Sequence, residues 1–423
     1  KSGMGAPAKP VRMALGALII KERCGYSDEE TVEQIRENHY LQYFIGLKEY
    51  RDVAPFDPSM MVHFRKRLNL TIINEINEII AKKTEEEENK KDEPPTDGQG
   101  ISANKGQLIL DATCAPADIR YPTDLSLLNE AREKLEDIID TLHKPLKGKT
   151  RKPRTYRIKA HKDYLKTAKK RKPNRKAIRK ALGKQLRYVR RNLRVVDQLL
   201  EQVPLQILSR KQQQDLNVIK TLYHQQKTMY EQKTHSIEDR IVSISQPHVR
   251  PIVRGKVSAE TEFGAKISIS LVNGYAILEK LSWENYNEGN YLKEQVEAYH
   301  QRHGFYPEVV IADQIYRNRE NRKFCKELGI RLSGPLLGRP NEQTSREQKK
   351  QEYKESCIRN AVEGTFGLGK RCYGLGRIMA KLIDTSECVI ALQFLVMNLQ
   401  TRLRFLLYYF LQRQFGWACR LVS

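Results

Sequence analysis

The sequence predicts an α/β fold: a mixed sheet interrupted after its first strand by a helical insertion, and preceded by an all-α N-terminal domain. Three observations predict it. Leu108-Ile109-Leu110-Asp111-Ala112-Thr113 and Val309-Val310-Ile311-Ala312-Asp313 are apolar, β-branched runs of the kind that read as buried strands, and each carries a carboxylate. Asn273-Gly274 separates two further strand-like runs, the strongest short-range signal of a hairpin. Between the first strand and that hairpin the chain shows helical periodicity and dense positive charge.

The elements follow in order. Val11 to Lys21 reads as a helix opening after Pro10, Ser27 with Glu30 is a capping box for a second, and Asp57-Pro58 caps a third running through His63 and Arg65 to Leu68. Residues 1–83 are therefore expected to form a helical domain, suited either to a DNA-reading helix-turn-helix or to dimerisation. Residues 84–106, with four consecutive glutamates, Pro94-Pro95 and the breakers between Gly98 and Asn104, read as an acidic linker. The main domain is expected over 107–123 and 246–412. Its strands are Gln107 to Thr113, Glu262 to Val272, Tyr275 to Trp283, Val309 to Ala312 and Ile330 to Leu332. Its helices are Tyr291 to His303, Asn318 to Leu328 and the segment bearing Glu363. The insertion, 124–245, contains helical stretches from Asp124 to Leu142 and from Asn174 to His235. Val389 to Leu411, interrupted by Gln393, Asn398, Gln400, Arg402 and Arg404, reads as an amphipathic helix closing the core, with a tail over 413–423.

At 423 residues and 39% hydrophobic content the chain is long enough for two or three globular units. No run of 18 apolar residues occurs, which excludes a classical membrane helix, and no secretory signal opens the chain, so a cytoplasmic protein is expected. Because Lys1-Ser2-Gly3 lacks an initiator methionine, further residues are expected upstream. Seven scattered cysteines with no Cys-x2-Cys imply reduced thiols, and His300 and His303 read as surface residues at a helix end rather than zinc ligands.

The formal charge of +24 is concentrated in one place. Residues 144–194 hold 23 Lys or Arg against a single acid, Asp163. Such a block, studded with Tyr156, Tyr164 and Tyr188, suits a polyanion bound in a salt-dependent way. Ile178, Leu182, Leu186, Val189 and Leu193 recur at helical spacing, so the second half is an amphipathic helix rather than a disordered tail, while Pro153 and Pro173 make the first part loop or short helix. The residues expected to meet nucleic acid are Lys169, Lys170, Arg171, Lys172, Arg175, Lys176, Arg179, Lys180, Arg187, Arg190 and Arg191.

Asp111 and Asp313 stand where an unpaired charge is costly, which marks them out from ordinary turn formers. On a helix advancing about 100° per residue, Arg359, Glu363 and Lys370 share one face, so an acid flanked by two cations points at a common target. Hard divalent cations take carboxylate oxygens, and two of them can stabilise both the entering and the leaving oxygen of a phosphodiester displacement.

These residues resemble the DDE transposases of bacterial insertion sequences, in particular the group whose last acid carries the signature Tyr-x2-Arg-x3-Glu-x6-Lys. Arg359, Glu363 and Lys370 reproduce its last three letters; the tyrosine position is Ser356, with Tyr353 one turn earlier. Asp111 to Asp124 and Val309 to Tyr316 look like that family's segments around its first and second acids. The resemblance implies a ribonuclease-H-like domain in which the first and fourth of the strands named above are neighbours. It implies Asp111, Asp313 and Glu363 as catalytic and metal-binding residues, with two Mg²⁺ or Mn²⁺ per site, and Arg359 and Lys370 at DNA phosphates. It further implies double-stranded DNA partners (terminal inverted repeats and target), a homodimer on paired ends, no membrane partner, and a nucleoid-associated bacterial protein. A nuclease of the same fold that cuts without joining, and a non-catalytic nucleic-acid binder, are the competing expectations.

Overall fold

The computed structural model describes residues 8–89, 104–253, 261–334 and 342–415. The chain divides into two compact units, one made of residues 1–117 and 265–423, the other of residues 118–264.

The first unit opens with five helices, α1 (Val11–Cys24), α2 (Asp28–Glu37), α3 (His39–Phe44), α4 (Met60–Arg67) and α5 (Leu70–Asn89). The α2 capping box forms as expected: the Ser27 hydroxyl accepts from the Glu30 amide at 3.0 Å, and the Glu30 carboxylate accepts from the Ser27 amide at 3.4 Å. Asp57 does not itself cap α4. Its carboxylate accepts from the amide and hydroxyl of Ser59, and the helix begins only at Met60. α5 continues to Asn89, so the expected linker boundary at residue 84 is displaced: Ala81 to Glu88 keep a helical composition, and glutamate is a good helix former. Pro94-Pro95 lies outside the described residues.

Strand β1 (Gln107–Pro116) runs three residues further than expected. The second unit follows it, with α6 (Asp124–His143), α7 (Arg157–Ala168), α8 (Arg175–Leu200), α9 (Arg210–Gln232) and β2 (Arg250–Val253). The expected continuous helical stretch from Asn174 to His235 is broken before Pro204, which cannot continue a helix, and Ser209 with Gln212 caps a new one. α6, α8 and α9 bury a common core that includes Leu128, Leu135, Ile139, Val189, Val196 and Ile219. Strand β2 was not expected; it lies antiparallel to the opening residues of β3 (Thr261–Val272), with Arg250 opposite Gly264.

In the first unit, β3 turns into β4 (Tyr275–Ser282) through Asn273 and Gly274, with φ values of +49° and +81°, the left-handed pair that a two-residue hairpin demands. Then come α10 (Leu292–His303), β5 (Val309–Ile311), α11 (Arg319–Glu327), β6 (Arg331–Leu332), α12 (Glu342–Cys372) and α13 (Ile383–Phe415). The sheet order is β4-β3-β1-β5-β6, with β1, β5 and β6 parallel and the hairpin antiparallel. The protein is thus a mixed α/β structure with β1 central. Leu108, Leu110, Val310 and Tyr316 pack with Leu292, Val296 and Tyr299 of α10 on one side of it. His300 and His303 are not bare surface residues: their rings pack against Tyr306 and Tyr299 at centroid distances of 4.2 and 4.3 Å.

The first half of α13 is the spine of this unit. Ile390, Leu392, Phe394 and Leu395 are fully buried, and the helix packs against α1, α4, α5 and β4. Its second half, including Leu403, Leu406 and Phe410, is exposed. The helix reaches Phe415, which shortens the expected tail; residues from 416 on lie outside the described residues. At the centre Asn398 donates to Asn77 at 2.8 Å and to the Ala276 carbonyl at 2.7 Å while accepting from the Ala276 amide at 2.9 Å. One amide side chain therefore ties α13 to α5 and β4. Replacing Asn398 by Leu leaves buried donors and acceptors unmet, and the variant should lose about 3 kcal/mol of stability in denaturant titration; a loss below about 1 kcal/mol would show that the tie is dispensable.

Candidate active site

The site is built from the parallel pair at the centre of the sheet. Gln107, Leu108 and Ile109 of β1 stand opposite Val309, Val310 and Ile311 of β5. The pairing ends at Ile109 opposite Ile311, two residues before Asp111 on β1 and two residues before Asp313 in the turn after β5. Asp313 leaves the strand to open a 3-10 turn, its carboxylate accepting from the Gln314 amide at 2.7 Å. The same Oδ1 also accepts from Arg359 at 3.0 Å.

α12 lies against β1 and β5 and brings the third acid. Arg359 is the joint: its guanidinium donates to Asp313 at 3.0 Å and, one turn along the helix, to Glu363 at 3.4 Å. Asp313 and Glu363 remain more than half exposed, so the bridge sits at the surface where a polymer can reach it. Lys370 lies seven residues further along the same helix face and is half-buried. The glycines of this helix do not break it; Gly364 faces open space, and Gly369 packs closely on Leu375 and Met397.

Asp111 differs from the other two. Burial pushes its carboxyl up to about 6, against a hydrogen bond from the Ala112 amide; among charged neighbours Glu288 and Asp313 raise it and Arg359 lowers it. Glu288 and Lys266 escaped the sequence reading. A usable signal was present, because Lys266 is a lone charge inside the apolar run Phe263 to Val272, the same anomaly that marked Asp111.

Among the described residues no three His, Cys, Asp or Glu side chains stand close enough to hold a metal ion together. Asp313 and Glu363 are instead joined through Arg359. The residues nevertheless suit a divalent cation in two respects. The donors are hard carboxylate oxygens, and Asp111 is a half-buried acid whose charge its surroundings oppose, as a cation would relieve.

In the second unit the expected nucleic-acid contacts divide. Lys169, Lys170, Arg171 and Lys172 fill the exposed turn before α8, and Arg175, Lys176, Arg179, Lys180, Arg187 and Arg190 are exposed along it. Arg191 is different: its guanidinium stacks over Tyr156 at 4.3 Å and Tyr188 at 5.2 Å, with Nε and Nη2 buried, so it faces inward.

Residues 310–400 match a family described as transposase DDE domain, and residues 1–67 match one described as transposase domain. The chain is 29% identical over 132 residues to an uncharacterized protein of Rhizobium meliloti, ORF8 in the nfe locus, a stretch covering 31% of this chain and 59% of that one. It therefore spans less than two thirds of that relative's length. No solved structure matches. No helix among the described residues is long and apolar enough to cross a membrane.

The raised Asp111 carboxyl makes a prediction for the metal-free protein. Its pKa is higher folded than unfolded, so its ionisation opposes folding, with no penalty below about pH 4 and the full penalty above about pH 6. With a chelator present, Asp111→Asn should be more stable than wild type by about 3 kcal/mol near pH 8, the two converging near pH 4. Parallel melting curves at both pH values would show that Asp111 carries no uncompensated charge.

Proposed function

We propose that this chain, which its two transposase matches support as a DDE transposase of an insertion sequence, cuts DNA at element ends and joins the freed 3′-OH to target DNA. The observation that carries the reading is the Arg359 bridge, which joins Asp313, just past β5, to Glu363 of α12, beside the parallel β1–β5 pair whose first strand carries Asp111. A parallel β1–β5 pair delivering two acids beside a helix delivering a third supports a ribonuclease-H-like domain.

Asp111, Asp313 and Glu363 would hold two Mg²⁺ or Mn²⁺ ions. Such ions, when bound, supply Lewis acidity at the phosphodiester and lower the pKa of a water. The chain's own residues do the rest. Asp111 lies on the central strand, so its position is fixed by the sheet rather than by a loop. Arg359, once the charge of the acids is met otherwise, is placed to donate to a phosphate oxygen, and Lys370 extends the same cationic line along α12. No Ser, Tyr or Cys nucleophile is required.

Duplex DNA is the proposed partner, with the exposed cations of the turn before α8 and of α8 itself following its backbone. A homodimer acting on paired ends, and residence at the nucleoid, belong to the same reading.

Asp111→Asn, Asp313→Asn and Glu363→Gln should each lower strand cleavage by at least about 10³-fold while gel-shift affinity for an element end stays near wild type. Normal cleavage by any one removes that residue from the site, and normal cleavage by all three leaves a non-catalytic binder. Arg359→Ala and Lys370→Ala should reduce cleavage less completely. A pre-cleaved end offered to target DNA separates the transposase from a nuclease: joining is expected, and hydrolysis without joining would overturn the strand-transfer step. Replacing Lys169, Lys170, Arg171 and Lys172 together by Ala should weaken DNA binding and flatten its salt dependence by as much as about 4 in log–log slope; an unchanged slope would place the DNA elsewhere.

A further inference from the structure

We propose that the cavity between the end of α1 and the α12–α13 connection is a binding site for a small organic cation bearing a guanidinium or amidinium group, received by the Glu22 carboxylate and the Gln393 side-chain oxygen. This site is separate from the three acids of the catalytic reading and does not depend on them.

The cavity holds about 540 Å³, within the range usual for small-molecule sites. Its walls come from the last turn of α1, the turn into α2, Arg65 of α4, the residues that follow α12 and the first half of α13, all within the first unit. The wall after α12 is fastened down. The Ile378 amide donates to the Pro116 carbonyl at the end of β1 at 2.8 Å, and the Leu375 amide to the Gly369 carbonyl at 3.0 Å.

Glu22 stands where an acid is disfavoured twice. It lies in the last turn of α1, whose unpaired carbonyls oppose negative charge, and it is only 8% exposed. Burial raises its carboxyl above the ordinary range, although Lys21, a Gln393 hydrogen bond and Arg65 act the other way. Those two cations are directed elsewhere: both terminal nitrogens of Arg65 donate to Asp28, at 2.9 and 2.6 Å, and Lys21 donates to the Tyr26 carbonyl at 2.9 Å. Among the described residues Glu22 receives one neutral donor, the Gln393 amide nitrogen, at 3.3 Å on Oε2. Oε1 of Glu22 and Oε1 of Gln393 are buried without a hydrogen-bond partner, and Gln393 is 2% exposed. Both residues line the cavity.

Unmet buried acceptors are costly, and a donor-bearing cation supplies what both lack. The parallel N–H groups of a guanidinium or amidinium match a carboxylate, a further N–H can meet the amide oxygen, and the charge answers Glu22. Tyr26 and Tyr373 line the same cavity and suit a flat cation, while Val389 and Met379 suit an apolar stem.

Benzamidinium, titrated into the full chain by calorimetry, tests this. At a formal charge of +24 the protein has no general attraction for cations, so saturable binding points to a built site. Wild type should bind benzamidinium saturably and melt at a higher temperature in its presence. Methylguanidinium should compete, whereas tetramethylammonium, which has the charge but no N–H donor, should not. Glu22→Gln keeps the shape of the side chain while removing a buried charge, and it should lose at least about tenfold in affinity. Gln393→Leu alters the same site from α13 and should show a loss of the same sign. The proposal is overturned if benzamidinium gives neither saturable heat nor a rise in melting temperature, in which case Glu22 is a protonated structural acid. It is overturned equally if tetramethylammonium competes as well as methylguanidinium, or if the folded variants bind like wild type.

Discussion

Negative charge gathered on one edge of a sheet must be met by positive charge, and here that requirement organises the site. Asp313 and Glu363 come from elements 50 residues apart, and without a cation between them they would repel. Arg359 answers this from within α12, one turn from Glu363, so the helix carries both an acid and the counter-charge that lets the acid approach Asp313. Asp111 is served less well. It lies deeper, and its neighbour Glu288 is itself negative, which leaves its carboxyl raised. Charge is therefore balanced where Arg359 joins Asp313 and Glu363 and unbalanced at Asp111.

Much of this was legible in the residues. Asp111 and Asp313 stood out because β-branched apolar runs do not tolerate charge without cause, and the capping box at Ser27 and the hairpin at Asn273-Gly274 depend on local chemistry that the fold did not override. The neighbouring placement of β1 and β5 was different: no property of either segment encodes which strands pair, and only the family resemblance suggested it. Arg359 was expected at a phosphate because its helix-face position is visible in sequence, whereas its partner across the fold is not. Glu288 was missed for the same reason, lying in a turn whose neighbours are set by tertiary packing. Arg191 was miscast because a cation in a basic block looks like its neighbours until the two tyrosines that enclose it are in place.

Boundaries failed where composition and packing diverge. The glutamate run after Thr84 looked like linker, yet it extends α5, and the helical reading across Val203-Pro204 ignored how firmly proline ends a helix. Buried polar groups, by contrast, proved informative. Asn398 interrupts an apolar helix and fixes α13 against α5 and β4, so a residue that weakens the hydrophobic pattern specifies the packing.

The scattering of the three acids along the polypeptide has a consequence for synthesis on the ribosome. Asp111 emerges 202 residues before Asp313, and Glu363 a further 50 later. The β1–β5 pairing, a contact of very long sequence separation, cannot close until both strands are made. A polypeptide that ends between Asp313 and α12 carries two of the carboxylates without the third and without Arg359. On the function proposed above, such a shortened product keeps the cationic helices of the second unit without a complete set of acids.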